Sequence, residues 1–126
     1  LVGVGHLGTA LLGFERFKEY GLNIIAAFDI DKEKIGKTIH GVKVFHLGKL
    51  HDMVKRMGIK IGILTVPASP AQELTDEMVR AGIRAIWNFS PVKVNVPPDI
   101  IVQHENLASS LVVLAKKLTL ARQNQS

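Results

Sequence analysis

The chain has 126 residues, of which 47% are hydrophobic and 21% are charged, a balance that predicts one globular domain and excludes a disordered segment. Its formal net charge is +5, but the 16 basic residues are spread along the sequence, which is typical of a solvated surface rather than a nucleic-acid footprint. The sequence contains no cysteine, which excludes disulfides and thiolate catalysis. No apolar run approaches the ~20 residues that a transmembrane helix needs. We therefore expect a cytoplasmic protein without a membrane partner.

Strands and helices alternate along the first half of the chain. Apolar segments predict strands over 1–4, 23–29 and 41–47. The second of these, NIIAAFD, is apolar without alternation, which is typical of a parallel strand buried on both faces. A helix is predicted over 7–21, with Gly21 as its stop, and the polar segment DKEKIG is predicted as a turn.

The same alternation continues in the second half. A helix over 49–58 ends at Gly58, and a later helix is predicted to start with Ser69 as its cap, Pro70 in its first turn and Gln72 completing a capping box. The remaining expectations are strands over 60–67, 83–89 and 100–103, a proline-rich loop over 90–99 and a last helix over 105–123. The pattern predicts one α/β domain over 1–126, a Rossmann-like doubly wound parallel sheet with helices on both faces, ending in a long apolar C-terminal helix.

A glycine fingerprint follows the first predicted strand and opens the first predicted helix. It reads Gly3-Val4-Gly5-His6-Leu7-Gly8. Gly3 permits a tight turn, Gly5 lets a pyrophosphate approach the backbone, and Gly8 lets the helix pack close to the sheet. His6 would face phosphate at the helix N-terminus, where an anion contact is more plausible than catalysis. The motif in this context predicts a dinucleotide site, although the glycines could serve only as turn residues.

An acidic residue ends the second predicted strand. A carboxylate at Asp29, followed by Ile30, can accept both hydroxyls of an adenosine ribose and would repel a 2′-phosphate. The cofactor is therefore predicted to be NAD(H) rather than NADP(H), a preference that the nearby Lys32 and Lys34 weaken. The neighbouring Asp31 is a rival acid, but we expect it to cap the following turn.

Two further strand ends should lie at the same edge of the sheet, where ligands of open α/β sheets bind. They are Thr65-Val66-Pro67 and Asn88-Phe89-Ser90. Thr65 or Asn88 could bond the ribose or the carboxamide, and Phe89 could pack on a ring. Thr65 and Pro67 could instead only end a strand, and Phe89 could belong to the core.

No catalytic constellation accompanies the fingerprint. The sequence has five histidines, but none forms a metal-ligand pair with a nearby carboxylate, so neither a metal nor an enzyme is expected. The last helix carries leucines at coiled-coil-like spacing, at positions 107, 111, 114 and 118. Either a partner subunit or the chain's own domain could cover this apolar surface.

Several segments together resemble the C-terminal domain of the Rex family of bacterial redox-sensing repressors. They are GVGHLGTALL, AAFDIDKEKIGKTIHGVKV, IGILTVPASPAQELTDEMVRAGIRAIWNFSPVKVNVP and ENLASSLVVLAKKL. The family usually has Asn in place of His6 and Ala in place of Ser90. The resemblance implies a homodimer, formed through the C-terminal helix 105–122, whose Rossmann domain senses the NADH/NAD⁺ balance.

The resemblance also implies functions that these residues do not carry themselves. Operator DNA would be bound by an N-terminal winged-helix domain, absent here together with the start of the first strand, and NADH would release that DNA. Carried over by position, residues 3–8 would hold the pyrophosphate, Asp29 the adenine ribose, and 65–67 with 88–90 the nicotinamide half. Three alternatives stay open: a truncated NAD-dependent oxidoreductase, a CoA-binding domain of the acyl-CoA ligase type, and a Rossmann fold without a working site.

Overall fold

In a computed structural model, the described residues are 1–105 and 107–124, and they form six strands and four α-helices. The strands are β1 (Ala27–Asp29), β2 (Thr38–Ile39), β3 (Val42–His46), β4 (Ile61–Leu64), β5 (Ala85–Asn88) and β6 (Ile101–His104). The α-helices are α1 (His6–Leu12), α2 (Leu50–Met57), α3 (Ala68–Ala81) and α4 (Leu107–Asn124). Short 3-10 helices cover Glu15–Tyr20 and Leu47–Lys49.

The first predicted strand becomes a short central segment of the sheet. Val2 forms parallel bridges to Phe28 of β1 on one side and to Leu64 of β4 on the other. Its N–H donates to the Ile63 carbonyl at 2.8 Å, and its carbonyl accepts from the Thr65 N–H at 2.9 Å. Val2 therefore joins two parts of the sheet, and the parallel order runs β3, β1, Val2, β4, β5, β6.

Apolar side chains cover both faces of this sheet. Neighbouring residues of a strand point to opposite faces, so Phe28 joins one buried cluster and Ala27 the other. The Phe28 cluster takes apolar residues of α2 and α3, such as Leu50 and Met78. The Ala27 cluster takes Leu12 of α1. The predicted parallel α/β sheet with helices on both faces is therefore confirmed.

The helix predicted over 7–21 is wrong in its length. Helix α1 ends at Leu12, and the chain continues as a separate 3-10 helix before Gly21. A Cβ at Gly13 would lie 2.8 Å from Nε2 of His40, because the imidazole packs against the backbone there. Glycine is a poor helix former, which agrees with a helix that ends before Gly13. The pattern also missed β2, which pairs antiparallel with β3.

The start of α3 also differs from the prediction. The helix begins at Ala68 after Pro67, whose φ of −61° and ψ of 168° are extended, and no side chain caps it. Ser69 is therefore not the cap. Gln72 does not complete a capping box but holds Asn95 of the proline-rich loop, accepting from its N–H at 2.8 Å and donating to its carbonyl at 2.9 Å. The Gln72 side chain thus bonds the backbone of Asn95 rather than the backbone at the start of its own helix.

The last element of the fold is helix α4, over Leu107–Asn124. On its described side chains, Leu114 and Leu118 are exposed by 63% and 54%. The side chains of the other two leucines of the predicted seam, Leu107 and Leu111, lie outside the described part of the structure. None of the described helices combines the length and the apolar character that a bilayer crossing requires.

Candidate functional site

Two glycines of the fingerprint are required by the packing of the protein itself. Gly3 has φ of +101°, and a Cβ there would lie 2.5 Å from the Thr65 carbonyl oxygen. A Cβ at Gly8 would lie 2.0 Å from the Gly3 carbonyl oxygen. Both distances are far below van der Waals contact, so α1 can approach the sheet only with glycine at these positions. This agrees with the roles that the sequence predicts for them.

The middle glycine of the fingerprint differs from the other two. A Cβ at Gly5 would meet no protein atom within 4 Å. Its backbone is extended, with φ of −87° and ψ of −157°, a conformation open to any residue. Neither packing nor backbone strain explains glycine here. The open space beside Gly5 is instead available to a ligand.

That open space belongs to a pocket of about 540 Å³ at the carboxyl ends of β1 and β4. Its wall includes eight of the residues that the sequence predicts as cofactor contacts: Gly3, Val4, Gly5, Asp29, Ile30, Thr65, Val66 and Pro67. The position matches the edge at which ligands of open α/β sheets bind. The structure thus brings the first half of the glycine fingerprint, the acidic strand end and the β4 strand end together in one cleft.

Val2 and Phe28 of the sheet also line the pocket, and six further wall residues were missed by the sequence reasoning as contacts. They come from the turn after β1, from the segment after β3 and from the start of α3: Asp31, Lys34, Leu47, Pro70, Glu73 and Leu74. Each follows the carboxyl end of a parallel strand, by one residue at Leu47 and by as many as ten at Leu74. The strand order alone could have identified them, because such connections share one edge of the sheet.

The Asp29 carboxylate is tied to the backbone on both oxygens. Oδ2 accepts from the Val4 N–H at 2.7 Å, and Oδ1 accepts from the N–H groups of Ile30 at 2.7 Å and Asp31 at 2.9 Å. A carboxylate offers about four acceptor positions, so one remains, on Oδ2. This position remains open to a further donor.

The rival acid Asp31 has the local role that the sequence predicts. Its Oδ1 accepts from the Glu33 N–H at 3.0 Å, and its backbone carbonyl accepts from the Lys34 N–H at 3.0 Å. The side chain thereby caps the turn after β1, and this prediction is confirmed. Lys34 lies in the same turn, and its side chain folds back towards residues 3–5, which we call the glycine loop. Its ammonium donates to the carbonyl of Val4 in this loop.

Thr65 links the end of β4 to the glycine loop. Its hydroxyl lies 3.1 Å from the Val2 carbonyl oxygen and 2.5 Å from that of Gly3. Since a hydroxyl has one proton, it serves one carbonyl at a time. Thr65 therefore holds the loop against the sheet, while Val66 and Pro67 extend the pocket wall beyond it.

The third predicted segment, at the end of β5, forms a network of its own. Asn88 and Ser90 are both buried, and the Asn88 side-chain oxygen accepts from Ser90 through both its N–H and its hydroxyl. Phe89 packs on Trp87, with ring centroids 4.8 Å apart, in the cluster that contains Ala27. The structure brings these three residues together with each other and not onto the wall of the pocket described above.

The last part of the fingerprint lies on α1. His6 begins this helix with its side chain exposed, Leu7 follows, and Gly8 packs against the loop. They border the glycine loop without lining the pocket. Within residues 1–105 and 107–124, no group of three or more His, Cys, Asp or Glu side chains is placed to hold a metal ion.

This fold and its glycine loop are typical of α/β domains of the nucleotide-binding class, and the comparisons agree with this class. A family model described as "CoA binding domain" matches residues 1–92. A redox-sensing transcriptional repressor Rex of Treponema denticola is 52% identical over 114 residues, covering 90% of this chain and 54% of its own length. The chain therefore spans about half the length of the curated relatives that it matches.

Two crystal structures of RSP, a Rex-family repressor, resemble the whole domain. The complex of RSP with beta-NADH has a TM-score of 0.90 and 36% identity, covering 98% of this chain and 60% of that one. The complex of RSP with beta-NAD⁺ and operator DNA has a TM-score of 0.89 and 36% identity, covering 98% and 57%. The chain belongs to the Rex family, in the region that the CoA-binding family model describes.

Proposed function

We propose that the pocket binds NAD(H). The observation that carries this proposal is the open space at Gly5, where glycine is required neither by packing nor by the backbone. A diphosphate that approaches the main chain there would require it. The proposal is supported by Asp29, whose remaining acceptor position lies beside the same loop, and by the RSP complexes with beta-NADH and beta-NAD⁺.

A free ribose hydroxyl fits Asp29 better than a phosphate does. The carboxylate is negative and already accepts three backbone hydrogen bonds, so a 2′-phosphate would meet charge repulsion without gaining a donor. The 3′-phosphate on the ribose of coenzyme A would meet the same repulsion. We therefore propose that the pocket binds NAD(H) more tightly than NADP(H) or coenzyme A.

At the level of the whole protein, we infer a sensor of the NADH/NAD⁺ balance in a transcriptional repressor rather than an enzyme. NADH binding to this domain would release the full-length protein from operator DNA, which a winged-helix domain would hold. Support comes from relatives described as redox-sensing repressors and from the RSP complex that combines beta-NAD⁺ with operator DNA. Since operator DNA and NADH meet in the bacterial cytoplasm, this is the compartment that we propose.

We further propose that the sensor is a homodimer assembled through its C-terminal helix, over 105–122. The support on this chain is the exposure of Leu114, Leu118 and Leu120, at 63%, 54% and 59%. Large apolar side chains on one helix favour burial against another surface. In the proposed dimer, the apolar side chains of α4 would be buried against the second subunit.

Calorimetric titration of the chain with NADH, NAD⁺, NADPH and coenzyme A tests the central proposal. We expect NADH to bind at least tenfold more tightly than the other three. Equal affinities for NADH and NAD⁺ would remove the sensing argument and favour a truncated oxidoreductase. Tighter binding of coenzyme A than of any nicotinamide nucleotide would contradict the proposed cofactor.

A further inference from the structure

Two side chains, from the end of β1 and from the turn after it, hold the glycine loop at Val4. The N–H of Val4 donates to Oδ2 of Asp29 at 2.7 Å, and the carbonyl of Val4 accepts from the ammonium of Lys34. Asp29 is the last residue of β1, and Lys34 lies five residues further on, in the turn that follows. The Val4 N–H thus donates to one side chain, and the Val4 carbonyl accepts from the other. The peptide units on either side of Val4 therefore cannot rotate without breaking one of these two hydrogen bonds.

The charges around this residue limit what Lys34 can do. The pocket wall carries the carboxylates of Asp29, Asp31 and Glu73, and Lys34 is the one Lys or Arg among its lining residues in the described part of the chain. The ammonium is partly buried against the loop. To reach a ribose phosphate beside Asp29, it would have to leave the Val4 carbonyl without its partner, at the cost of a charge-assisted hydrogen bond.

The geometry points to Lys34 as a positioning residue for the nucleotide site, which holds the glycine loop in its binding shape through Val4. It does not read the ribose phosphate, so the selectivity for NADH over NADPH rests on Asp29. This inference rests on the proposed NAD(H) site and deepens it. Neither nearby lysine then favours NADP(H) over NAD(H): Lys34 is engaged by Val4, and Lys32 is exposed and absent from the pocket wall.

The test compares Lys34→Met with Lys34→Arg and with Lys32→Met as the matched control. NADH and NADPH affinities are measured by calorimetry, and the folded state of each variant by thermal unfolding. Losing the bond to the Val4 carbonyl should weaken NADH and NADPH by the same factor, roughly 3- to 10-fold, and leave their ratio unchanged. Arginine can still donate to that carbonyl, so Lys34→Arg should restore most of the affinity, and Lys32→Met should change nothing.

Hydrogen exchange of the Val4 amide in the nucleotide-free protein gives a second readout. We expect faster exchange in Lys34→Met than in the parent chain or in Lys32→Met, because the bond to Asp29 loses the support of its neighbour. A selective loss of NADPH affinity in Lys34→Met would show that Lys34 reads phosphate and would overturn the inference. Unchanged affinities together with unchanged Val4 exchange would overturn it as well.

The two proposals fail in different ways. If the parent chain binds no nicotinamide nucleotide, the proposed function is wrong, whatever Lys34 does. Val4 exchange then decides the inference by itself, because it needs no ligand: faster exchange in Lys34→Met supports a loop held by Lys34, and unchanged exchange contradicts it.

Discussion

The side-chain oxygen of Asn88 accepts two hydrogen bonds from Ser90, from its N–H at 2.9 Å and from its hydroxyl at 2.6 Å. These bonds fix which end of the amide is oxygen, so its nitrogen must donate to the Val92 carbonyl at 2.8 Å and to Nδ1 of His104 at 3.0 Å. All four hydrogen-bonding positions of the buried amide are filled. Asn88 therefore organises the ends of β5 and β6 and the start of the following loop.

Ser90→Ala removes one of these bonds and keeps the N–H donor. We expect the free energy of unfolding to fall by about 1 kcal/mol, the usual net value of a hydrogen bond, and NADH affinity to stay within about twofold. Denaturant unfolding and calorimetry measure the two quantities. A tenfold loss of NADH affinity without loss of stability would instead place Ser90 at the cofactor, as the sequence analysis predicts.

Asp29→Ala should weaken NADH binding by tenfold or more, because a hydrogen bond to a charged group contributes about 1.5–3 kcal/mol. NADPH should lose less, since the variant also removes the repulsion of its 2′-phosphate, so the two affinities should approach each other. Asp31→Ala is the matched control: it removes the turn cap but should keep the selectivity. If Asp29→Ala leaves both affinities unchanged, another group reads the ribose.

Substitutions at two glycines should separate binding from folding. Gly5→Val should abolish NADH binding while the fold survives, because no protein atom lies within 4 Å of a Cβ there. Gly8→Ala should instead destabilise the fold by about 1–3 kcal/mol or more, because its Cβ would lie 2.0 Å from the Gly3 carbonyl oxygen. Thermal unfolding and calorimetry on both variants check this pair. Retained binding in folded Gly5→Val would show that the diphosphate lies elsewhere.

Local sequence rules describe the contacts of the glycine loop but not those at the end of β5, for a physical reason. Gly3 and Gly8 are fixed by contacts within one strand–turn–helix unit, which the motif itself encodes. Asn88 looks equally available for a ligand in the sequence, because its partners Val92 and His104 are brought to it only by the loop and by the pairing of β5 with β6. Whether a polar residue such as Asn88 is buried depends on the tertiary structure, which local sequence rules do not describe.

The same distinction explains the errors in the helices. Gly13 breaks α1 where the ring of His40, 27 residues later, packs on it. Gln72 matches the capping-box position but finds Asn95 instead of its own helix end. In both cases the contact partner is distant in sequence, so periodicity and capping patterns could not predict the contact.

Leu118→Glu tests the proposed dimer. Leu118 is 54% exposed in this chain, so a charge there should leave the free energy of unfolding of the domain within about 0.5 kcal/mol. If α4 forms the subunit interface, the charge should shift a dimer to monomers in sedimentation velocity, because an unpaired charge is costly inside an apolar contact. Lys117→Glu is the control for charge alone. A dimer that persists in Leu118→Glu would move the interface away from this part of α4.

Glu77 connects α2 to α3 and makes stability depend on pH. Its Oε2 lies 2.7 Å from Nε2 of His51, and its Oε1 accepts from Arg80. Both hydrogen bonds lower the pKa of Glu77 below its ordinary value of 4.5, and the bond with His51 has the larger effect. A lowered carboxyl pKa stabilises the folded state above the ordinary value, and this contribution is lost as pH falls through the folded pKa.

Glu77→Gln should therefore lower the denaturant midpoint at pH 7, and the difference from the parent chain should shrink below pH 4.5. Arg80→Met is the control, since it keeps the His51 contact and should show a smaller change of the same sign. Urea unfolding at pH 7, 5 and 3.5 makes the comparison. A difference between Glu77→Gln and the parent that stays constant over this range would mean that the link between α2 and α3 stabilises the fold through packing rather than through charge.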